Sequence, residues 1–501
     1  MANIFDVKPN AEPQRQGAAQ RHFLDDDYLL FSETARTLFH QVARPTAIVD
    51  LHNHLSASDI ASDRVYSTLT DLWLEDDHYK WRAMRTAGFG ETLITGDADP
   101  WDRFSAWAST VPRLVRSPLY VWTHLELQRV FGINLPLNQQ TSREIWQEAN
   151  RQLPQWSARS LLSHFEVRTI ATTDDPSDDL ADHARLGDDS SLGDNSSLGD
   201  NAKELKLTMI PTFRPDAGHR MLAEPGAWNE WADRLGSVTG VVVEDLESLL
   251  AALSASWRRF MDQGARASDH GLDCLPDSPR DPALADSAVC RVRAGTVPEP
   301  REREAVLLEV VALAARLAAA DEAVVQLHLG ACRDVSPRLF ARLGRDAGGD
   351  AMGDDRQGPG LVRMLGALEA EEALARTVLY NANPADNELF ATLAGVFSRA
   401  GVDTLVQWGP AWWFNDHEDG IRRQLNILSE SGLLAGFIGM VTDSRSLLSM
   451  TRHELFRRIL CDVIGCSVDS GRIPGDPDLL AGLVRDICIG NAARHFGVPV
   501  P

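Results

Sequence analysis

The chain has 501 residues, 49 Lys plus Arg against 72 Asp plus Glu, a formal net charge of -23 and 44% hydrophobic residues. So acidic a surface excludes general nucleic-acid binding, which depends on many Lys and Arg contacts to phosphates. For the same reason an anionic ligand or an acidic membrane would have to be attracted by a local site acting against the global field.

Residues 1–22 read as a polar tail; with Phe23 they contain no apolar run of the kind a signal peptide needs. The first apolar run, 46–51, reads as a buried strand. It ends in Asp50, Leu51, His52, Asn53, His54. In a strand, residues two apart point to one side, so His52 and His54 can present two imidazoles to one metal ion. Hydrogen-bonded core or surface histidines are the plainer alternative. Residues 56–152, rich in Trp, Leu, Arg and acidic residues at helical spacing, read as a helical insertion. The run 166–171 is a second strand, followed by Thr172, Thr173, Asp174, Asp175, Pro176. A period-six repeat over 186–201 (LGDDSS, LGDNSS, LGDN) carries little apolar area and reads as a mobile surface loop.

The run 207–212 is a third strand, ending in Phe213, Arg214, Pro215, Asp216. Residues 264–300 and 346–360 read as loops. Between and after them, strands at 323–329, 377–380, 404–408 and 434–441 alternate with helical segments at 302–320, 361–376, 385–399 and 419–429. The helical run 305–320 contains Glu309 and Arg316 and is too short to span a bilayer. Such alternation marks β/α units on a parallel sheet. Seven strands are visible, and 92–95 or 240–243 could supply an eighth. The count alone leaves open a (β/α)8 barrel or an open sheet, and the length alone leaves open three domains of about 150 residues.

His328, at the end of the 323–329 strand, would lie at a barrel mouth, although a lone histidine is more often part of a core. Trp408, Trp412 and Trp413 could wall a substrate or simply pack. After the last strand come Thr442, Asp443, Ser444, Arg445, Ser446. Asp443 could ligate a metal or act as a base, and Arg445 could hold a substrate oxygen; alternatively Asp443 or Ser444 caps the following helical segment, 447–464. First and last strands of a barrel are neighbours, so Asp443 could join the two histidines. Six cysteines without a CxxC pair point to free thiols in a reducing compartment and a cytoplasmic location.

Taken together, the motifs resemble those of the uronate isomerases, a branch of the amidohydrolase superfamily. The matching segments include DLHNHL at 50–55, DHYKWRAMRTAG at 77–88, TTDDPSDDL at 172–180, PTFRPD at 211–216, QLHLGA at 326–331, LYNANPADN at 379–387, WWFND at 412–416 and TDSRSLLSMTRHELFRRIL at 442–460. They run in consistent order from about residue 21 to the C-terminus. Met450 and Leu455 depart from the family, which often has aromatic residues there; altered packing is expected, with no lost chemistry.

The resemblance implies a distorted (β/α)8 barrel spanning 23–501, with the 56–152 insertion after its first strand. It implies aldose–ketose isomerisation of D-glucuronate to D-fructuronate and of D-galacturonate to D-tagaturonate through a cis-enediol. By position, His52, His54 and Asp443 would surround one divalent metal, zinc by ligand type with manganese as the alternative. Asp443 would act as base, while Arg445 and Tyr79 would contact the substrate's C1 to C3 oxygens. His52, Arg214, His328 and Trp412 are further substrate-binding candidates. The expected partner is a small uronic acid, with no nucleic acid and no membrane; assembly into a homo-oligomer is left open. Two other readings compete: a metal-dependent amidohydrolase or lactonase on the same barrel, and a non-catalytic sugar-acid binding homologue.

Overall fold

A computed structural model describes residues 22–188 and 207–499. Strands β1 (Ile48–Asp50), β2 (Val167–Ala171) and β3 (Thr208–Ile210) pair in parallel in that order. Strands β4 (Ala267–Leu272), β5 (Val324–Leu329), β6 (Arg376–Asn381) and β7 (Val406–Trp408) form a second parallel run. Phe213 joins the two runs through parallel bridges to Asp174 and Ser268. The ring closes where Asp443 N donates to His52 O (3.1 Å) and His54 N donates to Ser444 O (2.9 Å). One apolar cluster draws Val49, Ala171, Ile210, Ala267, Val324, Val378, Ile438 and Val441 from around this ring, as the interior of a barrel requires.

The closed end is filled by the last helix, Asn491–Phe496. Its Ala492, Ala493 and Phe496 enter the interior cluster, and Asn491 donates to the carbonyls of Ala435 and Phe437 at the start of the eighth wall. Between β1 and β2 lie eight helices, among them Leu69–Leu74, His78–Thr86, Pro100–Thr110 and Pro118–Phe131. Asp99 and Ser117 cap the last two ahead of a proline at the first helical position, and Gly132 ends the second in the left-handed region. Trp73 and Trp107 are buried at their centre, with Trp73 stacked on Phe104. Among the described residues, no helix is long and apolar enough to cross a membrane.

Several sequence expectations are corrected. The 264–300 region is no loop: it contains β4 and the helix Pro282–Arg293. The strand was hidden because Ala-Ser-Asp-His-Gly-Leu offers no β-branched run. Its polar residues are nonetheless buried, since Asp269 is neutralised inside the barrel, and a methyl at Gly271 would overlap the Arg214 guanidinium. Neither proposed eighth strand forms: 92–95 falls in and just beyond the helix Glu91–Ile94, and 240–243 follows the left-handed Gly240 that ends helix Pro225–Thr239. The 434–441 segment starts with a 3-10 turn, Leu434–Gly436, and 437–441 carries no ladder, so the eighth wall is held by loop-type bonds. The helix expected at 361–376 is Gly358–Ala370, because Arg376 already begins β6. The 346–360 segment includes Ala351–Met352, paired antiparallel with Ala331–Cys332. Residues 1–21 of the tail and 189–201 of the repeat lie outside the described residues.

Candidate active site

Asp50, the last residue of β1, is fully buried and accepts from Thr442 N at 2.8 Å and Thr442 Oγ1 at 2.5 Å. This ties the TDSR segment to the DLHNH segment. His52 and His54, two residues apart, then turn to the same carboxylate: their Nε2 atoms lie 3.1 and 3.2 Å from Asp443 Oδ1. Trp412 Nε1 donates to the other oxygen, Oδ2, at 2.7 Å. Asp443 sits at φ +45°, a left-handed conformation rare for residues with a Cβ and concentrated at functional sites. It caps no helix, so the capping alternative falls away; the following 3-10 turn Leu447–Met450 starts from Ser446 without a side-chain cap. Burial works against the charged form of Asp443, but hydrogen bonds from His52 and His54 hold the carboxyl well below its usual range.

A second cluster lies behind His52. Asp269 on β4 meets His328 Nδ1 at 2.7 Å and Arg214 Nη1 at 2.9 Å, and lies 4.0 Å from His52 Nδ1. The His328 ring packs on His52 (centroids 4.3 Å apart) and stacks on Tyr380 (4.0 Å, 6°), its β6 neighbour in the ladder. Arg214 Nε donates to Asp216, and Asp216 also accepts from Gly271 N. Burial disfavours the Arg214 charge, yet Asp269 and Asp216 outweigh it and raise its pKa further. Arg214 and His328, separate candidates in the sequence, are brought together by Asp269, a carboxylate not singled out there.

On the rim, Arg445 and His54 line a cavity of about 250 Å3 together with Ser56, Asp59, Tyr66 and Asp76. Arg445 Nη2 lies 3.6 Å from Asp346. The segment carrying Asp346 is strapped down by the helix His78–Thr86, whose Arg82 donates to Asp350 O at 2.6 Å and whose Arg85 donates to Ala347 O. Asp77 caps that helix, accepting from Tyr79 N and Lys80 N, which fixes Tyr79 in its first turn. Tyr79 has no hydrogen bond to His52, His54 or Asp443 among the described residues; its hydroxyl donates to Asp416 at 3.3 Å. Asp416 closes the WWFND motif, a signal that could have marked it. Burial and the nearby Arg445 charge push His78 down to about 4.

The remaining candidates have structural duties. Asp174 accepts from Thr172 Oγ1 and Thr212 N, Asp175 accepts from Trp231 Nε1, and Trp408 donates to Asn381. Trp413 stacks on Phe414. Met450 and Leu455 are buried.

Among the described residues, two groups of ligand atoms are close enough to hold a metal ion: His52, His54 and Asp443, and His52, Asp269 and His328. The first fits a divalent cation by donor chemistry. Burial holds His54 down at about 4, so its imidazole is neutral, and the carboxylate it meets is ionised. His52 Nδ1, buried and without a hydrogen-bond partner, faces Asp269, the position a carboxylate takes behind a metal-bound histidine.

A glucuronate isomerase family model matches residues 20–496. A uronate isomerase of Solibacter usitatus is 41% identical over 481 residues, covering 95% of this chain and all of the relative; one of Caldanaerobacter subterraneus is 40% identical over 480 residues with the same coverage. The crystal structure of a Thermotoga maritima uronate isomerase superposes with a TM-score of 0.87 at 32% identity, over 95% of this chain and 100% of that one. A glucuronate isomerase structure from Caulobacter crescentus shares the fold (TM-score 0.85, 23% identity, 95% and 97% covered). The chain belongs to the glucuronate isomerase family.

Proposed function

We propose that this protein is an aldose–ketose isomerase that interconverts D-glucuronate with D-fructuronate and D-galacturonate with D-tagaturonate. The observation that carries the reading is the meeting of His52, His54 and Asp443 on one point beside Arg445, within a chain of this family. His52, His54 and Asp443 would hold one divalent cation, zinc by their donor types with manganese as the alternative. When bound, the cation supplies Lewis-acid attraction for the carboxylate end of the sugar acid.

The chain's own residues do the rest. Isomerisation moves a proton from C2 to C1, so a base must reach C2 within about 3 Å and a cation must face the enediolate oxygens. Asp443 stays ionised and so is always able to accept a proton, but its depressed pKa makes it a weak base; it would act together with the substrate's C5 hydroxyl. Arg445, on the rim, supplies a fixed positive charge to the C1 and C2 oxygens. Tyr79 can both accept and donate at those oxygens. Arg214, His52, His328 and Trp412 complete the pocket by orienting Asp443 and one another. A hydrolytic role on the same barrel would leave Tyr79 and Arg445 without work. The six free cysteines fit a cytoplasmic enzyme.

Incubation with D-glucuronate in deuterated water, followed by NMR, tests the reading. Ketose formation with deuterium entering at the reacting carbons is expected; no ketose and no C2 exchange, with D-galacturonate equally inert, would overturn it.

A further inference from the structure

Moving hydrogen from C2 to C1 is half of the reaction. The aldehyde oxygen O1 must also gain a proton and the hydroxyl O2 must lose one. In the reading above, Tyr79 faces these oxygens. Its phenol is a poor proton carrier alone: burial, then the charges of Asp416 and Asp443, raise its pKa well above the ordinary value, so a phenolate is strongly disfavoured. Any proton it takes must be passed on as it arrives. Its hydrogen-bond partner is the Asp416 carboxyl, with Oη 3.3 Å from Oδ2.

Asp416 is placed to receive it. The carboxyl is 7% exposed and lies in the WWFND segment, four residues after Trp412, which holds Asp443. Arg452 Nη1 is 3.6 Å from Asp416 Oδ2, and the same Nη1 donates to Thr442 O at 3.1 Å. That guanidinium lies 3.8 Å over the Trp122 ring, and Tyr79 meets Trp122 edge-on. Burial, only partly offset by Arg452, moves Asp416 above the ordinary carboxylate range.

We infer that Tyr79 and Asp416 form a two-member proton relay serving the substrate's O1 and O2, with Arg452 positioning Asp416. The inference rests on the isomerase reading. In the forward direction the C2–H bond breaks as Asp443 and the C5 hydroxyl take the proton, and its electron pair forms the C1–C2 double bond. Asp416 enters protonated, the form its burial favours, with its O–H turned to Tyr79; O1 takes the Tyr79 hydroxyl proton while Tyr79 takes the proton of Asp416, leaving Asp416 ionised. From the enediol, O2–H breaks, its proton passing to Tyr79 and the Tyr79 proton returning to Asp416. C2 becomes the ketone, and C1 takes back the carbon-bound proton. Nothing is oxidised or reduced overall, and both residues end as they began.

The test compares Asp416→Asn, Tyr79→Phe and the double variant on D-glucuronate, reading kcat and KM separately. Each single variant should lose about 100-fold in kcat with KM within about threefold of wild type. The double variant should be no slower than the worse single, because members of one relay act as a unit. Multiplying losses, or Asp416→Asn within threefold of wild-type kcat, overturns the relay. If Asp416→Asn does not fold, Asp416→Glu carries the test: a retained carboxylate should keep kcat within tenfold of wild type, and a loss equal to that of Tyr79→Phe overturns the inference. Wild-type protein inert on both uronates would defeat the isomerase reading itself, a separate result.

Discussion

His52 belongs to two clusters of similar composition, and they differ in how their charge is met. On the β1 side, Asp443 receives two imidazoles and an indole N–H. On the β4–β5 side, Asp269 receives the full charge of Arg214 at 2.9 Å and the ring of His328. A carboxylate facing a guanidinium is already neutralised, and a divalent cation beside it would be repelled. A carboxylate met by imidazoles, with no guanidinium beside it, has the donor set that suits a divalent cation. Proximity of ligand residues is therefore a poor guide to metal binding until the permanent charges around them are counted. The second cluster packs against the ring of His52, with the His328 ring 4.3 Å from it.

The comparison can be broken most directly at Asp443. Asp443→Asn should lower turnover by about three orders of magnitude or more and release the bound cation, with the fold intact, because a base and a ligand are lost at constant volume. Metal content by elemental analysis and turnover by NMR check it; wild-type values for both would remove Asp443 from the centre. Asp269→Asn should act differently. It strands Arg214 in the interior without its main counter-ion, costing about 3–5 kcal/mol of stability. Cation content per folded molecule should survive. Urea unfolding with metal analysis on the folded fraction separates the two, and loss of metal without loss of stability would reverse the roles of the clusters.

Arg445→Lys should lower kcat by roughly 10- to 100-fold, since an ammonium cannot reproduce the planar fork across two oxygens. An unchanged kcat would confine Arg445 to its pair with Asp346. The smallest effect concerns pH and lies away from both clusters. His495, at the closed end of the barrel beside Gln407, is lowered to about 3 by burial and then by the Arg376 charge. Its neutral form is the one the fold accepts. Its contribution to stability is complete above about pH 6.5 and is lost as pH falls toward 3. Wild-type unfolding free energy should fall by roughly 1 kcal/mol per pH unit below 6 from this group, and His495→Gln should flatten that slope. Equal slopes in the two proteins would assign the acid limb to the site histidines.

What the sequence made legible follows the same division. The Asp443 cluster is written in two short contiguous motifs, and the adjacency of first and last barrel walls brings His52, His54 and Asp443 to one place; strand alternation does not, because β1 ends at Asp50 before both histidines. The Asp269 cluster is carried by a strand of small and polar residues, Ala267–Leu272, whose burial comes from ion pairing and has no apolar signature. Apolar content misled in the opposite direction at 434–441, where a hydrophobic run forms wall without ladder. Asp416 was visible inside a matched motif but had no assignable role until Tyr79 was seen to lean on it.

The hydrogen bond from His52 to Asp443 joins residues 391 apart, and that from Thr442 to Asp50 spans 392. Closing so long a loop adds little free-energy penalty, which grows only as the logarithm of length, but it sets an order of events. During synthesis the β1 histidines emerge early and stay without their carboxylate until nearly the whole chain has been made. Contacts of such separation fold slowly. The His52–His54–Asp443 cluster can thus form only late, ahead of little more than the C-terminal helices that end in Asn491–Phe496, and a nascent or truncated chain lacking the TDSR segment has the histidines without their carboxylate.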